Sequence, residues 1–167
     1  MIRIPKKATS PAFIRDEEII LSPPASSAQP ARVLLAEESL PLRRVIREAL
    51  ISFRHCEVDD CSTAERAFEF ALARPYQLLI LAIPLPDMTG VMLDRLIARA
   101  YPYAHPGSHT APPVIFLARP EDGRALSASQ RDVRLRGTLS YPPKLDALLA
   151  LTAGLLPDNP LYFPRVP

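Results

Sequence analysis

Six apolar residues in succession, Leu78-Leu79-Ile80-Leu81-Ala82-Ile83, run into Pro84-Leu85-Pro86-Asp87-Met88-Thr89-Gly90, and a helical pattern begins near Val91. A continuous apolar run bounded by turn residues is the pattern of a strand buried on both faces. Such a strand belongs in a sheet with helices packed on each side, and strand–loop–helix is the unit that builds one. In open α/β sheets the chemistry gathers at the carboxyl ends of the strands. The residues after this run are therefore the first place to look for function.

The same unit recurs along the chain. Arg32-Val33-Leu34-Leu35-Ala36 reads as a buried strand, and a helix follows from Leu40 to Phe53. Ser39 is its expected cap, Pro41 suits its first turn, and Leu42, Val45, Ile46, Ala49, Leu50 and Phe53 give it one apolar face. Glu57–Cys61 is a shorter, more polar strand, expected nearer a sheet edge. Ser62 or Thr63 caps a helix over Ala64–Ala73, which Pro75 ends. After the strand at Gln77–Ile83, a third helix covers about Val91–Ala100, with Met92, Leu93, Leu96 and Ile97 expected on its inner side. The segment Tyr101–Pro113, with four Pro, His105 and His109, reads as a surface loop rather than a metal site. Val114–Ala118 is the fourth strand. A weak helix from Pro120 to about Arg131 follows, with Ala125, Leu126 and Val133 expected inward. Gly137–Tyr141 is a short fifth strand, and Lys144–Leu155 a last helix buried through Leu145, Leu148, Leu149, Thr152 and Leu156. Five βα units in succession predict an α/β, doubly wound, five-stranded parallel sheet with right-handed crossovers.

Composition sets the limits. An apolar fraction of 48% supports a real core, and a net charge of +2 argues neither for nor against nucleic acid. Twenty Pro against five Gly imply stiff, extended connections. Residues 1–31 read as a Pro-rich flexible extension, 32–156 as the domain, and 157–167 as a terminal tail. Within the extension, Phe13-Ile14-Arg15-Asp16-Glu17-Glu18-Ile19-Ile20-Leu21 has apolar ends and an acidic middle. It is either a solvated tail or a short segment that docks on its own domain or on a partner. Cys56 and Cys61 lie too close in one strand to bridge, and read as small buried thiols. No apolar run approaches the roughly 20 residues of a membrane span. No apolar stretch follows the basic N-terminal residues as a secretory signal would require, so a cytoplasmic location is expected.

The run Leu81, Ala82, Ile83, Pro86, Met88, Gly90 resembles the third strand and following loop of the response-regulator receiver (CheY-like) domain, and the spacing of 32–156 fits that family throughout. The resemblance implies the flavodoxin/CheY-like receiver fold. It also implies a phosphorylation site: an acidic pair for a divalent cation, a nucleophilic Asp, a Ser or Thr, and a Lys. The matching positions here are Glu37 and Glu38, Ala82, Ala118 and Tyr141, the last followed by Pro142. The family's aromatic switch position falls on Thr138. A methyl group cannot accept a phosphoryl group, and the chemistry rests on positioned charge. The expected state is a degenerate pseudo-receiver with no catalytic residues, no metal and no cofactor.

Two functions remain in view. The first is a phosphorylation-independent adaptor in a bacterial two-component or related pathway. The resemblance implies docking through the face of the fourth helix, fifth strand and fifth helix, which here carries Arg124, Arg131, Arg134, Arg136, Thr138 and Tyr141, an Arg- and Tyr-bearing composition suited to a protein partner. That partner would be a histidine kinase, another regulator, a scaffold or a second copy. The alternative is a receptor for a cyclic dinucleotide such as c-di-GMP, through the Arg-rich segment 119–136, because guanidinium forks suit phosphate and guanine edges. An independent enzyme is not expected: Ser39, Ser140 and Cys61 lack a paired His, and there is no glycine-rich phosphate loop. DNA binding is not expected either, since only eleven residues follow Leu156.

Overall fold

The computed structural model describes residues 29–127, 130 and 132–162. Chain order is β1 (Ala31–Ala36), α1 (Leu40–Phe53), β2 (Cys56–Cys61), α2 (Ala64–Ala73), β3 (Leu78–Ala82), α3 (Gly90–Ala104), β4 (Val114–Ala118), a 3₁₀ turn (Pro120–Asp122), α4 (Gly123–Ser127), β5 (Leu135–Ser140) and α5 (Leu145–Thr152). The strands form one parallel sheet in the order β2-β1-β3-β4-β5. The polar β2 is an edge strand, as its sequence implies.

Alternate strand residues feed two cores. Val33, Leu35, Leu78, Ile80, Ile115 and Leu117 pack with Ile46, Leu50 and Leu148 under α1 and α5. Leu34, Ala36, Leu79, Leu81 and Phe116 pack with Ala67, Ala71, Leu93, Ile97 and Tyr101 under α2 and α3. Each fully buried Leu or Ile contributes about 1.5–3 kcal/mol relative to exposure, so β3, buried along its whole length, anchors both layers. Gly90 is fixed by close approach: a Cβ there would lie 2.1 Å from the Ala82 carbonyl oxygen. Its amide donates to the Ile83 carbonyl at 2.9 Å, which seats the start of α3 on the end of β3.

The two helix starts use different chemistry. Thr63 caps α2, its side chain accepting from the Arg66 amide. Ser39 holds the cap position of α1 without a side-chain hydrogen bond, and Pro41 occupies the first turn.

Several sequence expectations change. The third helix runs on to Ala104 instead of stopping at Ala100, with Pro102 inside it. Tertiary contacts carry the extra turn: the Tyr101 hydroxyl accepts from the Tyr76 amide at 2.9 Å, and His105 Nε2 meets the Ala71 carbonyl at 2.8 Å. Met92 and Leu96 face outward, because the inner face of α3 is Leu93, Asp94, Ile97 and Tyr101. The fourth helix is shorter, with residues 128, 129 and 131 outside the described residues. Val133 is exposed rather than inward. The last helix ends at Thr152.

Of the expected tail, residues 157–162 pack against the end of α1, and 163–167 lie outside the described residues. The His55 amide donates to the Pro157 carbonyl at 2.8 Å, and the Asn159 amide donates to the Phe53 carbonyl at 3.1 Å. Asn159 Nδ2 donates to the Ile51 carbonyl at 3.1 Å, and Arg54 pairs with Asp158. Arg54 also donates to Thr152 Oγ1 at 3.1 Å and to the Leu149 carbonyl at 2.5 Å. The last carbonyls of a helix have no partner within it, and this segment supplies partners.

Candidate functional site

The carboxyl ends of β1, β3, β4 and β5 converge on one small cluster. β1 delivers Glu37, 3% exposed, and Glu38, which is solvated. β3 ends on Ala82 and β4 on Ala118, both buried. β5 hands the chain to Tyr141, whose peptide bond to Pro142 is cis. The Tyr141 hydroxyl donates to Glu37 Oε2, and the Ser39 amide donates to Glu37 Oε1 at 2.8 Å. Both carboxylate oxygens of Glu37 are thus engaged. Burial, and then the neighbouring Glu37 carboxylate, push the Tyr141 hydroxyl upward, so it stays protonated and donates.

Arginines flank this pair without reaching it. Arg43 Nη1 donates to the Glu37 carbonyl at 2.7 Å and to the Glu38 carbonyl at 3.3 Å, while its Nε binds Asp60 at 2.8 Å. Arg119, which topology brings near the acidic pair, makes no ion pair with it among the described residues. Its guanidinium lies 5.4 Å from the centre of the Tyr141 ring.

Asp87, in the loop after β3, plays a part that sequence reading missed. Its carboxylate accepts from the Ala64 and Glu65 amides, both at 2.8 Å, at the start of α2. With Thr63 it satisfies the first three orphan amides of that helix. Burial raises the Asp87 carboxyl, but these amide bonds outweigh it and hold the group below the ordinary carboxylate range. The signal was a lone Asp beside Pro86, and nothing local says which helix it caps.

No family profile matches the chain. Over 125 residues it is 29% identical to the aerobic respiration control sensor protein ArcB of Escherichia coli K12, and equally to that of Shigella flexneri. The match covers 73% of this chain and 15% of each relative, so the chain spans a small part of their length. Solved structures agree over more of their own length. The signal receiver domain of an HD domain-containing protein from Pseudomonas fluorescens Pf-5 superposes with a TM-score of 0.65 at 20% identity, covering 78% of this chain and 90% of that one. The receiver domain of AraT from Geobacillus stearothermophilus gives 0.62 at 20%, with 75% and 92% covered. The chemotaxis protein CheY4 of Vibrio cholerae gives 0.58 at 21%, with 72% and 94% covered. The fold is that of a CheY-like receiver.

A receiver fold implies a divalent cation beside its acidic pair. The residues present do not fit one. Hard cations take about six or more oxygen ligands. Here Glu37 is engaged by Tyr141 and Ser39, Ala82 offers no side-chain oxygen, and only Glu38 faces solvent. Among the described residues no group of three or more His, Cys, Asp or Glu side chains could hold a metal, and no helix is long and apolar enough to cross a membrane.

On the receiver's α4–β5 face the sequence-predicted arginines separate. Arg124, Arg136 and Thr138 are exposed, and Tyr141 is half-buried beneath Arg119. Arg131 lies outside the described residues. Arg134 leaves the surface set: its guanidinium grips the buried Asp94 of α3 at 2.8 and 3.1 Å, meets Asp132 at 2.8 Å, and is only 13% exposed in its side chain. A cation paired twice inside the fold has no fork left for a nucleotide, which breaks up the cluster at 119–136.

Proposed function

We propose that this chain is a pseudo-receiver, a phosphorylation-independent, non-enzymatic adaptor of two-component or related bacterial signalling that acts by docking a protein partner. One observation carries the reading. The position matching the phosphoacceptor is the buried methyl of Ala82, and beside it the Tyr141 hydroxyl is bonded to Glu37, where the family's cation and Lys would act. Phosphoryl transfer depends on a nucleophile and on placed positive charge, and the cluster offers neither to a phosphoryl group. The proposed docking face is Arg124, Arg136 and Thr138, with Arg119 laid over Tyr141. Exposed guanidinium groups beside an aromatic ring suit an acidic protein surface. The partner classes are a histidine kinase, another regulator or a scaffold.

The test has two arms. Full-length protein is treated with acetyl phosphate and Mg²⁺ and read by intact mass, then with beryllofluoride and Mg²⁺ and read by melting temperature. No added phosphoryl group and no shift are expected, and either change overturns the reading. Immobilised full-length protein is then challenged with host lysate. A histidine kinase, regulator or scaffold retained by the native chain and lost by Arg136→Glu supports docking through this face. Retention by both overturns the face assignment.

A further inference from the structure

The outward face of α3 is built unlike a solvated helix face. Positions 92, 95, 96, 99 and 103 follow one another at mostly helical spacing and lie opposite the buried Leu93, Ile97 and Tyr101. Three of them are large and apolar: Met92 is 48% exposed, Leu96 38% and Tyr103 88%. The other two are Arg95 and Arg99, both exposed, and neither forms an ion pair with a described residue. No acid interrupts the face, because the helix's own Asp94 is turned inward onto Arg134.

The chain carries a segment of complementary chemistry. In Phe13–Leu21 the apolar Phe13, Ile14, Ile19, Ile20 and Leu21 flank Asp16, Glu17 and Glu18. Leu21 precedes Gln29 by eight residues, a reach of up to about 26 Å at about 3.3 Å per residue. Geometry puts the two ends on the same side. β1, β3 and β4 are parallel, and α3 returns the chain from the end of β3 toward the start of β4. The last turn of α3, with Tyr103, therefore lies at the end of the sheet where residue 29 enters β1. A tether this short raises the effective concentration to about the millimolar range, enough for a weak contact to hold.

We propose that residues 13–21 dock along the Met92–Leu96–Tyr103 face of α3 in the same chain, their carboxylates against Arg95 and Arg99. The contact covers the outward side of α3. It concerns a different surface from the α4–β5 face, so each proposal can fail without the other.

The chain contains no Trp, so Phe13→Trp in the full-length protein gives a single reporter. The expected emission is blue-shifted relative to the same protein in denaturant and independent of protein concentration. Arg95→Glu with Arg99→Glu, both at exposed positions, should abolish the shift, with circular dichroism unchanged. Adding Asp16→Arg, Glu17→Arg and Glu18→Arg to that variant should restore it. Solvent-like emission from the parent protein overturns the proposal, as does a blue shift that survives the α3 charge reversal. A shift that grows with concentration assigns the segment to a second copy. A shift seen only with phosphatidylserine vesicles assigns it to a membrane surface. Either of these last results also overturns docking within the chain.

Discussion

The Tyr141 hydroxyl donates to the Glu37 carboxylate across the carboxyl ends of β5 and β1. The two residues are 104 apart in sequence and stand at the positions where the receiver resemblance puts a lysine and the first member of an acidic pair. A neutral donor thus faces a buried carboxylate. Removing it leaves a buried acceptor unsatisfied, which costs about 1–3 kcal/mol. Tyr141→Phe should lower stability by about that amount in urea denaturation while leaving the circular dichroism spectrum unchanged. A loss below about 0.5 kcal/mol would mean that water satisfies Glu37 as well as Tyr141 does.

Gly90 meets the Ala82 carbonyl so closely that any side chain must push the backbone of β3 or α3 aside. Overpacking against fixed backbone costs about 3 kcal/mol. Gly90→Ala should therefore fold poorly or melt well below the native chain, whereas Gly123→Ala, with nothing within 4 Å of the added Cβ, should change the melting temperature little. Equal melting temperatures for the two variants would contradict the close approach.

Asp94 and Arg134 form a nearly dry ion pair between α3 and the chain entering β5. Burial pushes the Asp94 carboxyl above its ordinary range, against the pull of the guanidinium. Breaking such a pair from one side costs about 3–5 kcal/mol, while replacing both partners with apolar residues is often nearly neutral. Arg134→Met should be strongly destabilising, and Asp94→Leu with Arg134→Met should recover most of the loss. A double-mutant cycle in urea measures the coupling.

Asp87 has a depressed carboxyl, so its contribution is present above the unfolded value near about 3.9 and is lost as pH falls through the folded value. Asp87→Asn removes one helix-start acceptor and the charge. It should cost about 1 kcal/mol at about pH 6. The gap between native and variant should narrow as pH falls from the unfolded value through the depressed folded value, where the carboxyl takes up its proton and loses its charge. A gap independent of pH would assign the effect to shape alone.

Much of this architecture was legible from residue order because its causes are local. Apolar runs at Arg32–Ala36, Leu78–Ile83 and Val114–Ala118 leave a strand few other ways to be buried, and the helical spacing, with Pro41 at one start and Ser62 or Thr63 at the other, placed α1 and α2 at the boundaries found. The residues at the strand ends, Glu37, Glu38, Ala82, Ala118 and Tyr141, could also be listed, because the receiver resemblance assigns them to one site.

Tertiary contacts decided the rest. Met92 and Leu96 fit an inward stripe as readily as their neighbours do, and only the docking of α3 on the sheet chose between the two faces. Tyr101 extends that helix because the amide of Tyr76, 25 residues away, donates to its hydroxyl. Arg134 reads as one more surface arginine until Asp94, 40 residues away, takes it inward. Periodicity reports how a residue is related to its neighbours along the chain. Which lone polar side chain meets which depends on the closing of the sheet, where the cost of burying an unpaired charge selects the partner.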